Sequence, residues 1–382
     1  MKKITALLLA GLLLTLAGCS SATAPTESAD AKQNTTVQET TQRQLSVVPD
    51  GQTAKSTTPD GGYSIIDSHL HYLDFLQKTD GFEALAKKMD EVNVPYAVIF
   101  GMAMAKQWDE HAPNEPTYYM SNDSRCYYYS ATDYIMMADY MAQPDEVKER
   151  FFPFICGINP NDKNAASNLR RLLETYPDDI YGIGEVMSRH DDLTALTYGE
   201  PPRADHPAFL EVYDLAAEYD IPVIIHHNIG PSYTDDPIYL QEMKNALAHN
   251  RNAVIIWAHT GISRRVEDSK HTQITDEMLK DNPNLYYDIS WLVFDDYINI
   301  SNESLDEWAA LIEKYPDRFM IGSDKVGHWK GYEDEILKYY PLIDRLSDET
   351  KEKVTKTNIL ERIHVDPASL ERIKPAETQQ AA

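Results

Sequence analysis

The run Ala253-Val254-Ile255-Ile256-Trp257 contains no polar side chain. A strand with that composition must be covered on both faces, as strands of parallel sheets are when crossover helices pack above and below them. Seven other β-rich runs share the chain with it. The expected strands are 63–68, 95–100, 152–158, 180–186, 222–226, 253–259, 285–289 and 318–322. Between and after them, apolar residues recur at mixed three and four spacing, which predicts helices over 82–92, 131–142, 165–176, 207–219, 238–249, 275–281, 305–315 and 333–346. Pro207, behind Asp205 and His206, suits a first helical turn. Tyr176-Pro177-Asp178-Asp179 and Tyr315-Pro316-Asp317-Arg318 read as helix ends turning into strands. Eight strands alternating with eight helices predict an α/β chain folded as a (β/α)8 TIM barrel, with an open doubly wound sheet as the alternative. One interval interrupts the alternation. Residues 101–150 carry Trp108, Tyr118, Tyr119, Tyr127, Tyr128 and Tyr129. Inserted after the second strand, they form either a lid or substrate wall, or a packed surface excursion.

The strand ends concentrate metal-binding side chains. Asp67-Ser68-His69-Leu70-His71 closes the first strand, and residues two apart in an extended chain point the same way. Glu185 closes the fourth strand, His226 the fifth, His259 the sixth and Asp324 the eighth. In a barrel all these ends meet at one mouth. His227 follows His226 directly and points to the opposite face. His111, His190, His249, His271 and His364 fall on helices and loops and are left unassigned. Imidazole and carboxylate together suit a divalent metal, zinc first, with manganese or iron as alternatives, as one or two ions. Such an ion lowers the pKa of water from about 15.7 to about 7, which makes water a nucleophile at neutral pH. Arg264 and Arg203 follow strand ends and are candidate clamps for a substrate carboxylate; so are Arg189 and Arg265, and ordinary surface salt bridging is the alternative for each.

His69-Leu70-His71, Glu185, His226, His259 and Asp324, in this order and on these elements, resemble the amidohydrolase superfamily and in particular its amidohydrolase-related (type 2) branch. The resemblance runs from 63 to about 364, and Thr357-Asn358-Ile359 resembles the branch's closing helix. It implies that Asp324 moves the proton of the attacking water to the leaving group. In binuclear members a carboxylate at the place of Glu185 bridges two metals, and decarboxylases of the branch do without it. Glu185 therefore favours hydrolysis of a lactone, ester or amide in a small organic substrate; it otherwise only orients a histidine or the substrate. A single-metal non-oxidative decarboxylase is the second reading, and a non-catalytic surface binding lipoprotein the third. A phosphodiesterase or nuclease fits less well with the charge.

That charge is −26, from 35 basic and 61 acidic residues, and it argues against nucleic acid as a partner. The amino-terminal end points to a membrane. Lys2 and Lys3 precede an apolar run, 4–16, that is too short to span a bilayer, and the run leads into Leu16-Ala17-Gly18-Cys19. That ending resembles a bacterial lipobox, with 1–18 as the signal peptide and Cys19 as the lipidated first residue; an ordinary cleaved signal is the alternative. The implied location is the cell envelope, on the outer membrane facing the periplasm if the source has two membranes. Residues 19–62 are rich in Thr, Ser, Gln, Ala and Asp and suit a tether, while 63–382 hold the barrel and a C-terminal helical segment. A coil of ~40 residues reaches about 35 Å. Of the three cysteines, Cys126 and Cys156 remain as a disulfide or as two buried thiols. Cys19→Ser is expected to move the protein from the membrane to the soluble fraction; equal membrane retention of both forms, read by detergent phase partitioning, would remove the lipid anchor.

Overall fold

The apolar runs pair side by side. The computed structural model describes residues 59, 62–108, 111, 124–190, 193–264, 266, 268, 270–370 and 372. The expected signal (1–18), nearly all of the expected tether with Cys19, and Tyr118, Tyr119 and Arg265 lie outside the described residues. The strands are β1 (Leu70–His71), β2 (Ala97–Ile99), β3 (Met104–Lys106), β4 (Cys126–Tyr128), β5 (Phe151–Ile155), β6 (Gly182–Met187), β7 (Val223–His226), β8 (Ile255–Trp257), β9 (Leu285–Asp288), β10 (Phe319–Met320) and β11 (Lys325–Val326). Seven form one parallel sheet in the order β10-β9-β8-β7-β6-β5-β2. Every residue from β5 through β9 is buried, as strands covered on both faces require.

The segment Asp67 to His71 closes this sheet into a (β/α)8 barrel. On one side Asp67 bridges Ala97 and His71 bridges Phe100. On the other, the Ser68 N–H donates to the Ile321 carbonyl at 2.9 Å, the Asp324 N–H donates to the His69 carbonyl at 2.8 Å, and β1 pairs in parallel with β11. The first barrel strand thus lies a few residues beyond the expected 63–68. Residues 63–66 leave the ladder because other partners take their N–H groups: Tyr63 donates to the Tyr340 hydroxyl, Ile65 to the Asn93 carbonyl and Ile66 to the Thr355 carbonyl.

The α-helices are α1 (Phe82–Glu91), α2 (Ala131–Met141), α3 (Asp145–Lys148), α4 (Ala165–Thr175), α5 (Pro207–Tyr219), α6 (Leu240–His249), α7 (His271–Asp281), α8 (Asn302–Lys314), α9 (Tyr332–Leu337), α10 (Tyr340–Ile343), α11 (Asp348–Glu352) and α12 (Asn358–Arg362). Local chemistry sets their ends. The His206 ring accepts from the Ala208 N–H at 3.2 Å and Pro207 opens α5; the Ser301 hydroxyl accepts from the Ser304 N–H at 3.1 Å and opens α8. α8 then buries Leu305, Trp308, Leu311 and Ile312 on one face. The single helix expected over 333–346 is divided, with α9 followed by the short α10 at Tyr340–Ile343. Pro341 has no N–H to continue α9, and it sits in the first turn of the new segment, where none is needed. Cys126 and Cys156 are buried free thiols. In the inserted interval, β3 and β4 form an antiparallel hairpin that precedes α2 and α3.

Asn358 secures the last strand. Its buried amide donates to the Pro316 carbonyl at 2.9 Å and to the Phe319 carbonyl at 2.8 Å. Asn358→Ala leaves both acceptors without that donor, and the expected loss is about 1–3 kcal/mol, read as a lower urea midpoint at unchanged slope. An unmoved midpoint would show that the amide contributes nothing net.

Candidate metal centre

Five of the barrel strands bring side chains at or just beyond their ends to the same mouth. His69 and His71 project together from the closing segment, and the ring of Phe100 meets them edge-on, with centroids 4.9 and 4.6 Å away. Gly322 lets the eighth strand come close: a Cβ there would lie 2.4 Å from that of His69. Glu185 arrives from β6, His226 from β7, His259 from just past β8, and Asp324 from between β10 and β11. Non-glycine residues with positive φ gather here: His259 at 53°, Thr260 at 51°, Trp291 at 58° and Asp324 at 47°. Such backbone costs of order 1–3 kcal/mol per residue and persists where surrounding contacts impose it.

The Glu185 carboxylate is the hub. One oxygen lies 3.2 Å from His71 Nε2 and 3.7 Å from His69 Nε2; the other lies 3.2 Å from His226 Nδ1 and 3.4 Å from His259 Nε2. Asp324 stands across from it, 3.4 Å from His69 Nε2, 3.5 Å from His71 Nε2 and 3.8 Å from His259 Nε2.

The outer nitrogens decide what this centre can hold. His69 Nδ1 donates to Asp288 at 2.7 Å, and His71 Nδ1 donates to the Gly101 carbonyl at 2.9 Å. His259 Nδ1 lies 3.2 Å from the Ser290 carbonyl and 2.9 Å from its hydroxyl. With each Nδ1 proton used outward, a ring that gives up its second proton turns a bare Nε2 lone pair toward two carboxylates. His69 Nε2 is buried and has no hydrogen-bond partner. Lone pairs facing carboxylate oxygens at these distances repel unless a cation lies among them, so the donor set fits a divalent metal. Two overlapping groups of three have mutually close donor atoms: His69, His71 and Asp324, and His69, Glu185 and His259.

The electrostatics agree with the geometry. Burial disfavours a charged His69 ring, but Asp288 and Glu185 outweigh it and hold its pKa well above the usual histidine range. The field that draws a proton to His69 is the field that attracts a metal cation. Burial also works against a charged Glu185, yet His69, His226, His259 and His71 keep its carboxyl well below the usual range. Asp324 is lowered in the same way, against its own burial, chiefly by His69 and His259. Its side chain is 12% exposed, whereas those of the other five residues are 3% exposed or less.

Two members of the site were not assigned from sequence. Asp288 is the one acidic residue in the expected strand 285–289, and that isolated charge was the available signal. His190 lies five residues beyond Glu185; its ring stacks on His226 at 4.3 Å, and burial, then His226, holds its pKa well below the usual range. His227 faces away, with Nδ1 bonded to the Ser188 hydroxyl and Nε2 to the Tyr239 carbonyl. Arg264 lines the mouth, its guanidinium 5.6 Å from the Trp291 ring centroid. Arg203 does not line it: Asp205 at 3.0 Å and Glu200 at 3.5 Å hold it on the surface, which corrects its expected place against the substrate. Arg189 is likewise paired, with Glu242 at 2.6 Å. The mouth is a cavity whose apolar wall includes Phe75, Met102, Met187 and Leu193. The hairpin supports that wall, since the Tyr128 hydroxyl donates to the Met187 carbonyl at 2.8 Å.

Residues 66–361 match the model of the amidohydrolase family. No curated protein matches the sequence at a significant level. Among solved structures, a zinc-bound amidohydrolase from Burkholderia multivorans is similar at 14% identity and a TM-score of 0.52, covering 80% of this chain and 100% of its own. A probable 2-pyrone-4,6-dicarboxylic acid hydrolase from Acinetobacter baumannii, with citric acid bound, is similar at 13% identity and a TM-score of 0.51, covering 79% and 100%.

Asp288 orients His69 rather than facing the cavity. Asp288→Asn is expected to weaken zinc binding about 10–100-fold, as loss of a histidine-orienting carboxylate does, measured by competition with a chelator. Unchanged affinity would mean that other contacts alone hold the ring.

Proposed function

We propose that this chain, which belongs to the amidohydrolase family, hydrolyses the carbonyl C–O or C–N bond of a small lactone, ester or amide. The observation that carries this reading is the set of outward-bonded histidines whose bare nitrogens converge with two carboxylates, one of them open to the cavity. His69, His71, Glu185, His226, His259 and Asp324 would hold one or two divalent ions, zinc first, with manganese or iron as alternatives. When bound, such an ion supplies Lewis acidity and brings the pKa of water to about 7.

The chain's own groups do the rest. Asp324 accepts a proton from the attacking water, because it is ionised and is the most open of the six. It returns that proton to the departing alkoxide or amine as the C–O or C–N bond breaks, so the centre ends as it began. Phe75, Met102, Met187 and Leu193 exclude bulk water from the reacting carbonyl, and Arg264 faces the substrate from the rim. Glu185 at the hub supports two ions and hydrolysis over a single-metal decarboxylation. The lipobox-like Leu16-Ala17-Gly18-Cys19 supports an enzyme tethered in the bacterial cell envelope. Among the described residues no helix is long and apolar enough to cross a membrane.

Chelation should abolish turnover of a lactone, ester or amide panel, and added zinc or manganese should restore it. Asp324→Asn should lower kcat by about 10²–10⁴ with the fold intact. Full activity after verified metal loss would overturn the mechanism. Carbon dioxide release from a carboxylic acid, with one ion per chain, would replace hydrolysis by decarboxylation.

A further inference from the structure

The concavity does not end at the six metal-binding candidates. A second, wider hollow opens beside the first, and Trp291, Asp324 and Val326 line both. Lys78, Lys325, Lys330 and His328 line the second hollow. Its carboxylates are engaged elsewhere. Asp74 accepts from the Leu76 and Lys78 N–H groups, both at 2.8 Å, and faces His328 at 3.1 Å. Glu335 pairs with Lys338 at 2.8 Å, and Asp324 faces the imidazoles. The ammonium groups of Lys325 and Lys330 make no ion pair with any described residue. In a chain with 61 acidic and 35 basic residues, carboxylates are in excess and unpaired lysines are not expected to collect by chance. Lys325 is also half-buried.

The backbone links these cations to the chemistry. Lys325 follows Asp324 directly, and its strand is in register with the first, Leu70 opposite Lys325 and His71 opposite Val326. An anion held at Lys325 is therefore placed relative to the histidines by the ladder that closes the barrel. Lys330 stands at the far wall, just before α9.

We propose that this hollow is a subsite for a carboxylate of the substrate, which Lys325 and Lys330 hold while the scissile carbonyl lies at the metal centre. The proposal rests on the hydrolase reading above and narrows its substrate to a carboxylate-bearing lactone, ester or amide. Two ammonium point charges attract a carboxylate without demanding a fixed fork geometry, so the subsite sets charge and reach rather than shape. A cationic wall in an acidic protein also draws anionic substrates preferentially to the mouth.

The test compares the monomethyl esters of succinic, glutaric and adipic acids with their dimethyl esters, on metal-loaded protein. Wild type should favour a monoester in kcat/KM. Lys325→Met and Lys330→Met should each reduce the monoester-to-diester ratio about tenfold, mainly through KM, as loss of one charged contact does. Raised salt should shrink the wild-type preference. A ratio at or below one in wild type, or a ratio unchanged in both variants, would overturn the subsite. Lys330 is exposed and six residues from Asp324, so its variant tests the idea even if Lys325→Met disturbs folding. Calorimetry separates this proposal from the hydrolase reading. Glutarate should bind wild type more tightly than acetate does, with the advantage lost in both variants, whether or not any ester is turned over. Equal binding of the two acids would sink the subsite by itself. Inorganic phosphate binding more tightly than glutarate would overturn the carboxylate assignment.

Discussion

His69 and Asp324 meet only because the first and last strands of the barrel meet. That seam is thin: the Ser68 and Asp324 N–H bonds and the two-residue ladder between β1 and β11. Asp67 reinforces it from beneath. Its buried carboxylate accepts from the Ser323 N–H at 2.8 Å, the Tyr332 hydroxyl at 3.0 Å and the His69 N–H at 3.2 Å, and burial pushes its pKa up to about 6. One side chain thus joins both sides of the seam to α9. Every distance in the candidate centre between an early residue and a late one depends on this closure.

The centre is otherwise an improbable packing arrangement. Two carboxylates and four imidazoles share a space nearly closed to water, where an unpaired charge or lone pair is costly. The cost falls when each ring is held from outside by an acceptor and the inner nitrogens share a cation. The arrangement therefore makes physical sense as a binding site and poor sense as a hydrophobic core. Residues that never face the cavity, such as Asp288 and Ser290, do as much to define it as those that do.

The polar rim extends this logic outward. Arg203 and Arg189 are bound to neighbouring carboxylates, whereas Lys325 and Lys330 form no ion pair with any described residue. Charge that a simple count assigns to solubility is thus unevenly used. Carboxylates are in excess over the whole chain, yet two ammonium groups beside the mouth form no ion pair with a described residue, and there an anion has something to gain by entering.

Much of this was legible in the sequence. Apolar runs alternating with amphipathic stretches determined a (β/α)8 barrel, because periodicity states which faces must be covered. Strand-end placement identified His69, His71, Glu185, His226, His259 and Asp324, because a barrel gathers strand ends wherever they lie along the chain. His227 was separable from His226 by alternation alone. Local spacing could not show what crosses the barrel. Asp288 reaches His69 from 219 residues away, and His190 stacks on His226 from another loop. The same limit applies to the arginines: Arg264 and Arg203 look alike in sequence, and only packing put one at the mouth and the other in a surface ion pair. The sequence by itself determined which side chains arrive at the mouth. The tertiary structure decided what holds each one there and which charges were left unpaired, because those are contacts between distant segments that closure of the ring brings together.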